Sequence, residues 1–166
     1  MVLIYNFIKW NSGEEMFGED FMLGVNSQKI EAKGRFIIPK DTKVETDDKL
    51  VIVDKDSFLE IWHLNLIKNK IMGFEEKRDK AENIEEFEYY QNLINYITVN
   101  TLHISKVDKE RRISLGDNYP EKLKELDSKE VMIERMGNYI RIWPDNNFKK
   151  YKDDVNKRVL KNNKYY

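Results

Sequence analysis

LVIVDKDSFLEIW, Leu50–Trp62, and VMIERMGNYIRIW, Val131–Trp143, follow one plan: an apolar run, a polar turn, a second apolar run and a closing Ile-Trp. An earlier pair of segments stands in the same order. IEAKGRFII, Ile30–Ile38, aligns with VDKERRISL, Val107–Leu115, so that Glu31 falls on Asp108, Arg35 on Arg112 and Phe36 on Ile113. Two matches in one order mark an internal repeat, with four more residues in the middle connection of the second copy. The chain is therefore two halves of related design.

Each half reads as strand, turn, strand, connection, then a hairpin. In the first, Val25–Ile30 and Arg35–Ile38 are strands joined by a turn over Glu31–Gly34. Glycine suits that turn because it reaches positive φ without a Cβ clash. Pro39 ends the second strand, and Leu50–Val53 with Phe58–Trp62 forms the hairpin. In the second half, Ile113–Leu115 follows the equivalent turn and the hairpin closes over Met136-Gly137-Asn138. Pro120 and Asn118 sit where a helix over EKLKEL would start. The equivalent first-half segment, KDTKVETDD, holds few helix formers, so a helix there is doubtful.

Helical spacing appears between and after the halves. Leu64–Phe74 is one expected helix. Ile84, Phe87, Tyr90, Ile94 and Ile97 recur every three or four residues and predict a second, amphipathic one with an acidic outer face. Asp145 is placed to cap a third, whose Phe148, Tyr151, Val155 and Val159 share one side. The expected organisation is an N-terminal extension over 1–21, a first repeat over 22–63, a helical linker over 64–100, a second repeat over 101–151 and a basic tail over 152–166.

Composition narrows the function. In 166 residues, 36% are charged with almost equal signs, for a net charge of -1. Any contact with a polyanion must then come from local clustering. Cysteine is absent, which excludes disulfides and thiol chemistry and fits a reducing cytoplasm. No apolar run approaches the ~18 residues of a membrane span. The only two histidines, His63 and His103, are far apart, no Gly-rich phosphate loop occurs, and no nucleophile, base or metal set can be assembled. The reading is a non-enzyme with no cofactor, metal or small-molecule substrate.

Cations gather at the two repeated turns: Lys29, Lys33, Arg35, Lys40 and Lys43 at one, Lys106, Lys109, Arg111 and Arg112 at the other. Either these are solvated turns, as most charged turns are, or they are aimed at an anion. Arginine offers a forked donor to phosphate or a guanine edge, and lysine offers point charge. Glu31 and Asp108, each four residues before an arginine, are placed to steady its guanidinium. Trp62 and Trp143, at equivalent repeat positions, read as core or hairpin-end residues.

A hydrophobic residue, an acid, two spacers, Gly-Arg and an apolar strand ending in proline, as in Ile30–Pro39, resembles the signature of the MraZ family in the AbrB-like superfamily of DNA-binding proteins. The repeated motif, the Met22-Leu23-Gly24 start and YIRIWPDNNFKKY, Tyr139–Tyr151, extend the likeness over Phe21 to Tyr151. The resemblance implies an α+β fold of two tandem β-β-(α)-β-β halves making one swapped-hairpin β-barrel with flanking helices. It also implies a homo-oligomeric ring with its motif turns facing DNA, and a transcriptional regulator binding promoter repeats of the cell-division and cell-wall cluster, cytoplasmic and nucleoid-associated. Lys33, Arg35 and Arg112 carry over as DNA-facing residues; Lys109 and Arg111 join them on chemistry. Glu31 stands for the family's Asp, Arg111 for its Gly and Gly116 for its Pro, so the second half departs further. The alternative is an AbrB-like protein-interaction or antitoxin module, whose basic tail and helices would meet another protein.

Overall fold

Leu50 and Ile52 point to one side of their strand and Val51 and Val53 to the other, yet all four are buried. Such a strand needs cover on both faces. The computed structural model, which describes residues 22–116, 121 and 129–161, shows how that cover is built. Strands β1 (Met22–Lys29), β2 (Arg35–Ile37), β3 (Lys49–Asp54) and β4 (Leu59–His63) come from the first half. Helices α1 (Leu64–Asp79) and α2 (Ile84–Asn100) follow, then β5 (Thr101–Lys106), β6 (Arg112–Ser114), β7 (Glu130–Gly137), β8 (Tyr139–Pro144) and α3 (Asp145–Lys161). The expected N-terminal extension, the helix over EKLKEL beyond its first residue, Glu121, and the last tail residues lie outside the described residues.

The strands form a six-stranded antiparallel sheet, β1-β7-β8-β4-β3-β5, and a two-stranded ribbon, β2-β6. Each half completes the other. The first strand of one half pairs with the third strand of its counterpart: β1 with β7, and β5 with β3. The centres of exchange are Phe36 opposite Ile113 in the ribbon and Glu60 opposite Arg141 in the sheet. The repeat thus becomes a pseudo-twofold axis, and the swapped plan expected from the resemblance is the one observed.

Sheet and ribbon enclose one apolar core of Ile30, Phe36, Ile38, Leu50, Ile52, Leu59, Ile61 and their second-half counterparts, including Val107, Ile113, Leu115, Val131, Ile133, Ile140 and Ile142. Burying each such side chain is worth roughly 1.5–3 kcal/mol relative to leaving it in water. Side chains help to close the gap between sheet edge and ribbon. Gln28 Nε2 donates to the Ile37 carbonyl at 2.5 Å, and the Ser114 N–H donates to Ser105 Oγ at 3.0 Å. Those two contacts occupy equivalent places in the repeat.

The sheet's outer face meets the helices. Val51, Val53 and Trp62 pack against Ile67 and Phe74 of α1 and Ile97 of α2. His63 caps α1, its Nδ1 accepting the Asn65 N–H at 3.3 Å. Asn83 Oδ1 caps α2 by accepting the Glu86 N–H at 2.8 Å. Helix α1 runs past Phe74 because Glu75–Asp79 are mostly good helix formers.

The two later helices form where the spacing places them, but their apolar rows are covered only in part. The apolar row of α2 is buried only toward its C-terminal end: Ile97 is buried, whereas Ile84 and Phe87 are exposed. On α3, Phe148 is buried but Val155 and Val159 are exposed, because the helix outruns the sheet it rests on. Between Pro39 and Lys49 the chain makes turns rather than a helix, as its threonines and aspartates suggest.

Candidate nucleic-acid interface

The ribbon places the arginine-bearing turns. Phe36 and Ile113 face the core, so their neighbours along β2 and β6 must face outward. Arg35 lies opposite Ser114, and Ile37 lies opposite Arg112. Ile38 N–H donates to the Arg111 carbonyl and Leu115 N–H to the Gly34 carbonyl, which makes the Arg35–Ser114 and Ile37–Arg112 positions the closer, non-hydrogen-bonded pairs. Arg35, Ile37, Arg112 and Ser114 therefore share one solvent-facing patch, drawn from both halves.

The turns themselves are near copies. Glu31 N–H donates to the Arg35 carbonyl at 2.8 Å, and Asp108 N–H to the Arg112 carbonyl at 3.0 Å. Gly34 has φ 67 and Arg111, its counterpart, φ 60. The left-handed conformation is thus kept although the glycine is gone, at a strain of about 1–2 kcal/mol for a residue with a Cβ. Lys33, with φ 63, is a second left-handed residue in the first turn.

Each acid steadies its arginine, as their spacing predicts. Arg35 Nε lies 3.8 Å from Glu31 Oε2. Asp108 grips harder: Oδ1 accepts the N–H of Arg112 at 2.7 Å and of Glu110 at 2.9 Å, and Oδ2 accepts Arg112 Nε at 2.9 Å. The Arg112 backbone N–H foremost, and its guanidinium after it, hold the Asp108 carboxyl below its usual range against some desolvation. Glu31 is one methylene longer and makes the looser contact.

Lys33 and Lys109 stand exposed at the turns. Arg111 is the correction among the expected anion-facing residues. Its Nη1 donates to the Val44 carbonyl at 3.1 Å, and Nη2 to the carbonyls of Pro39 and Thr42 at 3.0 and 2.7 Å. The guanidinium turns inward and staples the loop after β2, because that loop turns three carbonyls toward it, those of Pro39 and Thr42 also accepting the N–H groups of Thr42 and Val44. Sequence reasoning also missed Ile37, 43% exposed on the ribbon's outer face, and Ser114 beside it. Counting in twos from Arg35 and Arg112 would have found both.

A second polar cluster lies on the outer face of the large sheet. Glu60, Arg141 and Glu134 form a row across β4, β8 and β7. Arg141 reaches Glu60 at 3.4 Å and Glu134 at 3.5 Å, over the ring of Phe58. Trp62 Nε1 donates to Glu60 at 3.0 Å, and Trp143 Nε1 to Glu134 at 2.9 Å. Each carboxylate accepts from a tryptophan and faces the same guanidinium, so the cluster is satisfied internally and reads as architecture. Its signal in the sequence is a charged residue two positions before each tryptophan. His63 is likewise structural, capping α1 with Nδ1 while Nε2 faces Asp48 at 3.6 Å. Among the described residues, no helix is long and apolar enough to cross a membrane.

A family model described as "MraZ protein, putative antitoxin-like" matches residues 103–164, a stretch that runs from within β5 through α3. The match falls on the half that departs further from the repeated motif. No curated protein matches the chain.

Proposed function

We propose that this chain, which carries an MraZ-family domain over residues 103–164, is a homo-oligomeric, non-catalytic DNA-binding transcriptional regulator. The observation that carries this reading is the shared outward face of Arg35 and Arg112 on one two-stranded ribbon. A ribbon of that width enters the major groove, where arginine forks onto guanine and an apolar side chain meets the thymine methyl. Lys33 and Lys109 flank the patch and supply phosphate contacts. With net charge -1, the rest of the molecule adds no general attraction to DNA, so one protomer binds weakly and salt-sensitively. Several protomers on spaced promoter repeats, those of the cell-division and cell-wall cluster in the reading above, multiply that affinity through effective concentration. The protein then works in the cytoplasm at the nucleoid.

Self-association has its own support. The last turns of α3 leave Val155, Val159 and Leu160 exposed among Lys149, Lys150, Lys152, Lys157, Arg158 and Lys161. The start of α2 exposes Ile84, Phe87 and Tyr89 beside Glu82, Glu85 and Glu88. Two different, complementary surfaces on one protomer are what a head-to-tail ring requires.

The test is a mobility shift with the region upstream of the protein's own gene, at two salt concentrations, against scrambled DNA. Specific retardation is expected, and the Arg35→Ala/Arg112→Ala double variant should lose at least tenfold in affinity if these residues read bases. Equal binding by that variant overturns the site. No retardation, with a neighbouring gene's product co-purifying, replaces the DNA reading with the protein-interaction one.

A further inference from the structure

The repeated turns differ in sign at one position. Where the first turn has Lys33, the second has Glu110. Glu110 is 64% exposed, and its Oε2 accepts from Arg112 Nη2 at 3.1 Å. Together with Asp108 on Nε, this occupies two edges of the Arg112 guanidinium, which is only 30% exposed. Arg35 is 53% exposed and, among the described residues, has Glu31 as its one acidic partner. Asp108 is built into its turn through two backbone N–H groups and cannot leave without undoing it. Glu110 has no such tie among the described residues: its exposed side chain meets the Arg112 guanidinium at the turn's tip.

Resting on the DNA-binding reading, we infer that Glu110 is a specificity-setting residue that acts through Arg112 by competing with DNA for its Nη2 edge. A lone phosphate must displace a carboxylate and sit beside its negative charge, so ordinary duplex gains little from Arg112. A guanine edge, which takes the fork on two neutral acceptors, meets less repulsion and can win the exchange. The chain engages any duplex through Lys33 and Arg35, and commits Arg112 only where the sequence is right. Repulsion placed against the wrong ligand is a general route to discrimination.

The experiment measures binding of a fluorescent, mixed-sequence DNA duplex across a salt series for wild type, Glu110→Gln, Arg112→Ala and the double variant. Glu110→Gln keeps the shape and a hydrogen-bond partner but removes the charge. It should bind this non-specific duplex about threefold more tightly, the scale of one exposed ion pair. Its log–log salt slope should steepen by about 0.9, one added phosphate contact. In the Arg112→Ala background, Glu110→Gln should change neither quantity. An unchanged slope in the single variant, or equal tightening with and without Arg112, overturns the inference while leaving DNA binding standing. Wild type that binds no duplex even at low salt removes the DNA reading and this inference with it. Glu110→Lys, which installs the first turn's residue, should bind more tightly still and checks the result independently of glutamine's behaviour.

Discussion

Glu60 of β4 lies directly across from Arg141 of β8, at the point about which the two halves interchange. The two residues hold the same place in the repeat, Glu60 before Ile61-Trp62 and Arg141 before Ile142-Trp143. In a symmetric pair of identical halves, such a residue would meet its own copy, and like charges would repel across a mostly buried strand pair. A single chain carrying both halves escapes that constraint. One position became acidic and the other basic, and Glu134 on the far side completes the row.

Removing the cation leaves two largely buried carboxylates on either side of β8, Glu134 without its guanidinium and Glu60 with only Lys55, among the described residues, at 3.7 Å. Arg141→Met should therefore destabilise the fold by about 3 kcal/mol, the cost of breaking rather than replacing a buried pair. Adding Glu60→Gln should recover a part of that loss, since the second variant removes one of the two charges left behind. Urea unfolding of wild type, both single variants and the double variant gives the coupling directly. Additive effects would mean that the row is decorative.

Much of this fold is legible in the residues, and the failures have physical causes. The strands, the turns and the helical linker follow from alternation, glycine and periodicity, because those signals are local. Which strand pairs with which is non-local: nothing within β1 says that its partner is β7. The apolar face of α2 was readable, but its open first turns were not, since periodicity reports a face without reporting what covers it. At the site, Arg35 and Arg112 share a face because the register puts Phe36 on Ile113, a fact of pairing. Arg111 looked like one more surface cation, and only the three loop carbonyls gathered around its guanidinium show why it folds inward.

That inward turn makes a prediction with two signs. Arg111→Ala loses the staple and should destabilise by about 2 kcal/mol, the scale of hydrogen bonds from a charged donor. Arg111→Gly loses the same staple but relieves the left-handed backbone, and should be about 1 kcal/mol more stable than the alanine variant. At temperatures where both are folded, DNA retardation should match wild type. A large loss of binding would return Arg111 to the interface.

Asp108 makes the second turn sensitive to acid. Its folded carboxyl lies below the ordinary value of 3.8, with the Arg112 backbone N–H as the main cause. A depressed value means that the contribution is complete above the ordinary pKa and disappears as pH falls through the lower, folded one. Asp108→Asn should melt at a lower temperature than wild type at neutral pH. The gap should narrow once the pH drops below that ordinary carboxylate range, and close in stronger acid. A gap that stays constant into strong acid would show that the carboxylate's charge is not what matters.

The exposed end of α3 gives the proposed self-association its test. Tyr151, Val155 and Val159 follow at intervals of four and so lie along one stripe, whose Tyr151 end stacks on Trp143 at 4.5 Å while Val155 and Val159 stand exposed. Because Val155 and Val159 contribute little to the protomer's own core, Val155→Glu/Val159→Glu should leave its unfolding free energy within about 0.5 kcal/mol of wild type for each exposed change. Their effect should appear in assembly instead. Light scattering after size exclusion should give wild type a mass of several protomers and the double variant a smaller one. DNA carrying spaced repeats should then be bound less tightly by the variant, while a single short duplex, which needs one protomer, is bound equally well. If the variant keeps the wild-type mass, α3 is not the assembly surface; if wild type is itself monomeric at the concentrations used for binding, avidity cannot supply the affinity, and the ribbon must do so alone.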